Sequence, residues 1–124
     1  MVRVIVAGSR SFNDFNLLEK ELMTYFKEHN LHRADVEIIS GTAIGADKLG
    51  ETFAEKYGLK LTKFPANWEK HGKSAGFIRN QEMVHYAKDN NGVLFAFWDE
   101  TSPGTKNTIK LSIDNKLDVN VISF

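Results

Sequence analysis

Three short stretches of small and charged residues hold most of the side chains that could do chemistry. In Gly8-Ser9-Arg10 a guanidinium stands beside two small residues. It could clamp a phosphate or carboxylate through two parallel hydrogen bonds, or simply be solvated or paired with an acid. The second stretch, Ser40-Gly41-Thr42-Ala43-Ile44-Gly45-Ala46-Asp47, follows an apolar run and leads into a helical one. A strand, a glycine-bearing turn and a helix start together aim backbone N–H groups at one spot. The positive end of the helix dipole lies behind that spot, which favours an anion such as phosphate. The turn has neither the G-x-G-x-x-G of a dinucleotide fingerprint nor the Gly-Lys-Ser/Thr end of a Walker loop. A tight turn without a ligand is the competing reading. Asp47 could orient a ribose hydroxyl or act as a general base, or only stabilise the helix N-terminus. The third stretch, Ser102-Pro103-Gly104-Thr105, is either a second anion-accepting turn or a loop in which Thr105 caps a helix.

Further candidates lie between these turns. Arg79 and Met83 are four apart and share a helix face, so the arginine either reaches into a crevice or snorkels over the core. Glu82 and Asp99 are carboxylates near the same elements. Trp68 and Trp98 could each stack on a base or simply pack. The four histidines, His29, His32, His71 and His85, show no metal-ligand spacing. No metal and no cofactor are therefore expected.

The elements that position these residues follow from hydrophobic spacing. Val2 to Ala7 is a short β-branched run of the kind buried on both faces of a parallel sheet. Asn13 or Asp14 caps a helix in which Phe15, Leu18, Leu22 and Phe26 recur at helical spacing. Val36 to Ile39 is a second strand, and a helix runs from Ala46 to about Tyr57, stopped by Gly58. Leu59 to Phe64 is a third strand, and Ala66 to Lys73 is a polar loop. A helix from Ser74 or Gly76 to about Lys88 leads to Asp89-Asn90-Asn91-Gly92, a turn. Val93 to Trp98 is the fourth strand, and a helix from about Thr105 to Lys116 leads to a last strand, Val119 to Phe124.

Strict alternation of strands and helices predicts an α/β, Rossmann-like three-layer sandwich: a mainly parallel five-stranded sheet in the order 3-2-1-4-5 with helices on both faces. In such sheets ligands sit outside the carboxyl ends of the strands where strand order reverses, here between strands 1 and 4. The turns after strands 1, 2 and 4 would converge there.

With 124 residues the chain fits one domain, residues 1–124, large enough for a real core. Sixteen basic residues balance sixteen acidic ones, so the basic excess of a duplex-binding domain is missing. The absence of cysteine excludes disulfides, thiolate metal sites and a cysteine nucleophile. No apolar run has signal-peptide or membrane-spanning length, so a soluble cytoplasmic protein is expected.

The ordered set Gly-Ser-Arg-Ser-Phe, Ser-Gly-Thr-Ala-x-Gly-Ala-Asp, Arg-Asn-x-x-Met and a Gly-Thr turn resembles the SLOG superfamily. Within it the chain is most similar to the small YspA-like branch, a domain of unknown function in bacteria and phages. That resemblance implies a Rossmann-like domain for a nucleotide or nucleotide-derived ligand, a signalling nucleotide included. The superfamily also holds the LOG phosphoribohydrolases and the DNA-binding DprA proteins. Carried over, Gly41, Thr42, Gly45 and Ala46 take the phosphate-loop role, Gly104 and Thr105 match the second loop, and Arg79 and Met83 match the Arg-x-x-x-Met helix motif. The LOG enzymes have a catalytic glutamate where this chain has Thr108, and their Pro-Gly-Gly loop is reduced to Ser102-Pro103-Gly104. A threonine cannot supply that carboxylate. Binding is thus the leading expectation, through Gly8, Ser9, Arg10, Ser40, Gly41, Thr42, Gly45, Ala46, Asp47, Arg79, Gly104 and Thr105. The alternative is a nucleoside 5′-monophosphate N-glycosidase in which Asp47, Glu82 or Asp99 replaces the glutamate beside Arg79. DprA-like single-strand binding ranks behind both, because net charge is zero. The resemblance also implies that copies pair into homo-oligomers.

Overall fold

The two most apolar runs of the chain form the middle of its sheet. In a computed structural model, which describes residues 1–124, Val2–Gly8 (β1) pairs with both Val36–Ser40 (β2) and Val93–Trp98 (β4). Lys60–Lys63 (β3) and Asp118–Ser123 (β5) are the edges. All pairings are parallel and the order is β3-β2-β1-β4-β5, as the alternation of elements predicts.

Side chains alternate along β1 and divide the core into two layers. Val4 and Val6 face Leu18, Leu22 and Phe26 of the helix Phe15–Glu28 (α1) and Phe53 and Ala54 of Ala46–Tyr57 (α2). Ile5 and Ala7 face Met83, Val84 and Ala87 of Ala75–Lys88 (α4) and Ile109 of Pro103–Asp114 (α5). The fold is therefore an α/β three-layer sandwich of Rossmann type.

Local chemistry sets the ends of the helices. Asp14 caps α1 by accepting a hydrogen bond from the Leu17 N–H at 3.0 Å, and Gly58 ends α2 in the left-handed conformation. Two expectations need correction. The segment predicted as a loop over 66–73 contains a helical turn, Trp68–His71 (α3), because Asn67 accepts from the Lys70 N–H at 3.1 Å. The last helix begins at Pro103, not Thr105, and ends at Asp114. Proline lacks the N–H that the first helical position leaves unpaired, so it suits that position, and the capping position is Ser102.

The loops at the carboxyl edge are locked by one close approach. Gly45 precedes α2 at φ 89°, and a Cβ there would lie 2.4 Å from the Ser9 carbonyl oxygen. The same carbonyl accepts from the Ala46 N–H at 3.4 Å. The turn after β1 thus rests on the first residue of α2 with no room for a side chain between them. Gly45→Ala combines left-handed strain with that overlap and should lower unfolding free energy by at least about 1–3 kcal/mol in urea titrations. An unchanged midpoint would show that the loops are not locked there.

Candidate functional site

A cavity of about 790 Å³ opens at the carboxyl ends of β1, β2 and β4, within the size range of small-molecule sites. Gly8, Ser9 and Arg10 form one wall, Gly41, Thr42 and Asp47 a second, and Gly104 and Thr105 a third. Arg79 reaches the cavity from α4, and Asp99 from the loop after β4. The predicted turns therefore converge. Ser40, Gly45 and Ala46 do not line the cavity. Ser40 and Ala46 are fully buried beneath it, so these three build the loop without presenting side chains to a ligand. Glu82 lies exposed on α4, outside the cavity, where helical phase turns it away from the face that carries Met83.

The polar groups of the site form a connected network. The Arg79 guanidinium donates through Nη1 to the Gly41 carbonyl and through Nε to Asn80 Oδ1 at 3.0 Å. Asn80 is itself buried, and its Nδ2 donates to the Gly104 carbonyl at 3.2 Å and to Asn107 at 3.1 Å. This chain of bonds ties the turn after β2 to the start of α5. On the other wall the Ser9 hydroxyl accepts from the Asp99 N–H at 3.0 Å and pairs with the Ser102 hydroxyl at 3.0 Å, which ties the turn after β1 to the loop after β4.

Several donors in this frame have no acceptor in the chain. They include the amides of Arg10, Gly41, Ile44, Gly104 and Thr105, the Nη2 of Arg79 and the guanidinium of Arg10. Lys73, which sequence reasoning passed over, adds a third cation to the lining without a carboxylate partner. The α5 N-terminus has no side-chain cap, because the Ser102 hydroxyl is engaged by Asp99 and Ser9. Unpaired amides at a helix start beside free cations make a receptive environment for an anion.

The carboxylates divide by environment. Asp99 accepts from the Thr101 N–H at 2.9 Å and the Ser102 N–H at 2.8 Å, and these bonds hold it well below the usual carboxylate range. It organises its own loop and stays ionised, which removes it as a proton donor. Asp47 is only 5% exposed, and burial pushes its pKa up to about 6, with the nearby charge of Glu51 acting in the same direction. The Ala43 N–H at 3.2 Å and the charges of Arg79 and Lys48 pull the other way. Burial in turn lowers the pKa of Arg79. Thr108 is buried, with its hydroxyl on the Gly104 carbonyl at 3.2 Å, and offers no acid.

Glu51 and the strain at Thr42 were not foreseen, and Asn80 stood in the Arg-Asn-x-x-Met motif without a role of its own. Glu51 is buried and accepts from the Ser40 hydroxyl at 2.7 Å, and that hydroxyl accepts from the Thr42 N–H at 3.0 Å. Thr42 sits at φ 68°, a left-handed conformation costly for a β-branched residue. For Glu51 the available signal was that it stands four residues after Asp47, on the same helix face.

The Asp47 environment has a measurable consequence. An unfolded aspartate titrates near 3.8, so the folded protein holds an extra proton between about pH 3.8 and 6. Ionising Asp47 therefore costs stability as pH rises through that window; the cost is absent below it and complete above it. Asp47→Asn should flatten the stability profile between pH 4 and 7 and exceed the wild type by about 1–3 kcal/mol at pH 8. Parallel profiles for the two proteins would contradict this environment.

With the geometry in place, known proteins give its context. The model of the YspA, cpYpsA-related SLOG family matches residues 2–71, which include the turns after β1 and β2. The gene 61 protein of Mycobacterium phage D29 is 32% identical over 131 residues, covering 100% of this chain and 97% of that protein. No solved structure matches. No helix is long and apolar enough to cross a membrane. The family match, over more than half of the chain, establishes that it belongs to the YspA, cpYpsA-related SLOG family.

Proposed function

We propose that this protein binds a nucleotide or nucleotide-derived small molecule, holding its phosphate between the turn at Gly41–Asp47 and the start of α5. The observation that carries this reading is the convergence of unpaired amides and free cations in one cavity at the switch point of the sheet. Arg79 would grip the anion from within the wall through its free Nη2, and Arg10 and Lys73 would close on it from the rim. Family membership supports a ligand of this class.

The test is a thermal-shift and mass-spectrometric screen of nucleotides, NAD and ADP-ribose derivatives and cyclic dinucleotides. A stabilising compound recovered unchanged is the expected result. Arg79→Met should then weaken its affinity roughly 10- to 100-fold, the value of a charge-assisted bond to a buried anion. No shift with any phosphate-bearing compound would overturn the proposal.

One observation favours a second reading, hydrolysis of a nucleotide N-glycosidic bond. Asp47 is a buried cavity carboxyl whose pKa is raised to about 6, a value suited to exchanging a proton at neutral pH. Under this reading Asp47 activates water, and the products are the free base and ribose phosphate. Asp47→Asn would then abolish product while largely sparing affinity, whereas a binder releases no base at any time.

A further inference from the structure

The cavity is lined by two chemically different sets of groups. Its floor is polar, built from Arg79, the amides of the two turns and the start of α5. Its rim is apolar. Three large hydrophobic side chains that are mostly exposed, Ile44 at 62%, Trp68 at 58% and Phe77 at 51%, line this one cavity together with Pro65. Clustering of exposed apolar area is unusual in a small domain and marks a surface that is covered in use.

The two rings are also unpartnered. Phe12, Tyr25, Phe26, Phe53, Tyr57, Phe64, Tyr86 and Phe97 all take part in stacked, tilted or edge-on pairs, while Trp68 and Phe77 join none. Their positions are nevertheless built. Asn67 caps the single turn that presents Trp68. The tip of the indole lies over the first turn of α4 at Gly76, where an added Cβ would be in ordinary contact with it at 3.8 Å. Phe77 follows on the same helix, two residues before Arg79. The other tryptophan is accounted for differently: Trp98 donates its indole N–H to the Ser102 carbonyl at 3.1 Å and braces the loop before α5.

We propose that Trp68, Phe77 and Ile44 form the subsite for the base of a free nucleotide whose phosphate lies on the cationic floor. This rests on the nucleotide-binding reading above and sharpens it: the ligand must carry a flat, apolar-faced ring at one end and an anion at the other. A sugar phosphate or inorganic phosphate fills only half of the site. Aromatic faces select for planarity more than for a hydrogen-bond pattern, so the rim recognises the presence of a base and discriminates weakly among bases.

Calorimetry with AMP, GMP, CMP and UMP against ribose 5-phosphate tests this on the intact chain. The wild type should bind the nucleotides at least about tenfold more tightly than ribose 5-phosphate, within the range of base–aromatic stacking. Trp68→Ala and Phe77→Ala should reduce that ratio towards one and leave ribose 5-phosphate affinity unchanged. Because both residues are exposed, circular dichroism and the unfolding midpoint should match the wild type. Equal affinity of the wild type for ribose 5-phosphate and the nucleotides, or full retention of the ratio in both variants, would overturn the base subsite while leaving the anion site standing. Binding of neither class would overturn both readings. Single-stranded oligonucleotides that bound in a Trp68-dependent way, with mononucleotides failing, would make the occupant a nucleic acid and contradict the proposal as stated.

Discussion

The site depends on one side chain, Arg79, and on where its hydrogen bonds go. A cation drawn into a wall of protein needs partners, and here they are a backbone carbonyl and an asparagine, with no carboxylate in contact. Asp47 is near enough to stabilise it through space but accepts its own hydrogen bond from the Ala43 amide. The result is a guanidinium fixed at two of its nitrogens with charge to spare. Through Asn80 the same interaction reaches the Gly104 carbonyl, so the positions of two anion-receptive turns are coupled. Remove Arg79, and the turn after β2 loses its anchor at the same time as the cavity loses its innermost charge.

That arrangement is kept at some cost to the fold. Asp47 is ionised in a buried place that disfavours ionisation, Arg79 is partly desolvated, and Thr42 is held in a conformation that threonine rarely adopts. Each is local, and all three occur in the turn after β2 and its immediate contacts. The opposite end of the sheet shows how the same chain treats a buried acid without such tension. Glu37 on β2 is buried as deeply, yet it is satisfied by Tyr86 at 2.6 Å, Thr62 at 2.5 Å and Arg3 at 3.3 Å. Burial acts to raise its pKa, and these partners outweigh it so that the value falls. Away from the cavity the buried charge is fully paired, whereas at the cavity Asp47 and Arg79 are left underpaired.

Much of this was legible in the sequence because it is written in local chemistry. Continuous β-branched runs mark buried strands, capping residues and glycines mark helix ends, and Gly-Ser-Thr turns after strands mark the loops that line the cavity. The sheet order and the convergence of the turns follow from that pattern. What was not legible are contacts between residues far apart in the chain. Asn80 acquires its role only because α4 packs beside α5, and Asp99 becomes structural because its own loop folds back on it. The exclusion of Glu82 follows from helix phase, and the interior placement of Ser40 and Ala46 from the depth at which β2 gives way to α2. The short helix α3 was hidden because a four-residue turn has too few positions to display a period.

In the proposed complex one ligand is held at once by the turn after β2 and by the start of α5. The most direct measurement is a titration of isotope-labelled protein with AMP, following backbone amide shifts by NMR. The largest changes should fall at Gly41, Ile44, Gly104 and Thr105, with Gly92 and Asp118 at the opposite edge of the sheet unmoved. Changes confined to one of the two turns, or centred on the opposite edge, would contradict it.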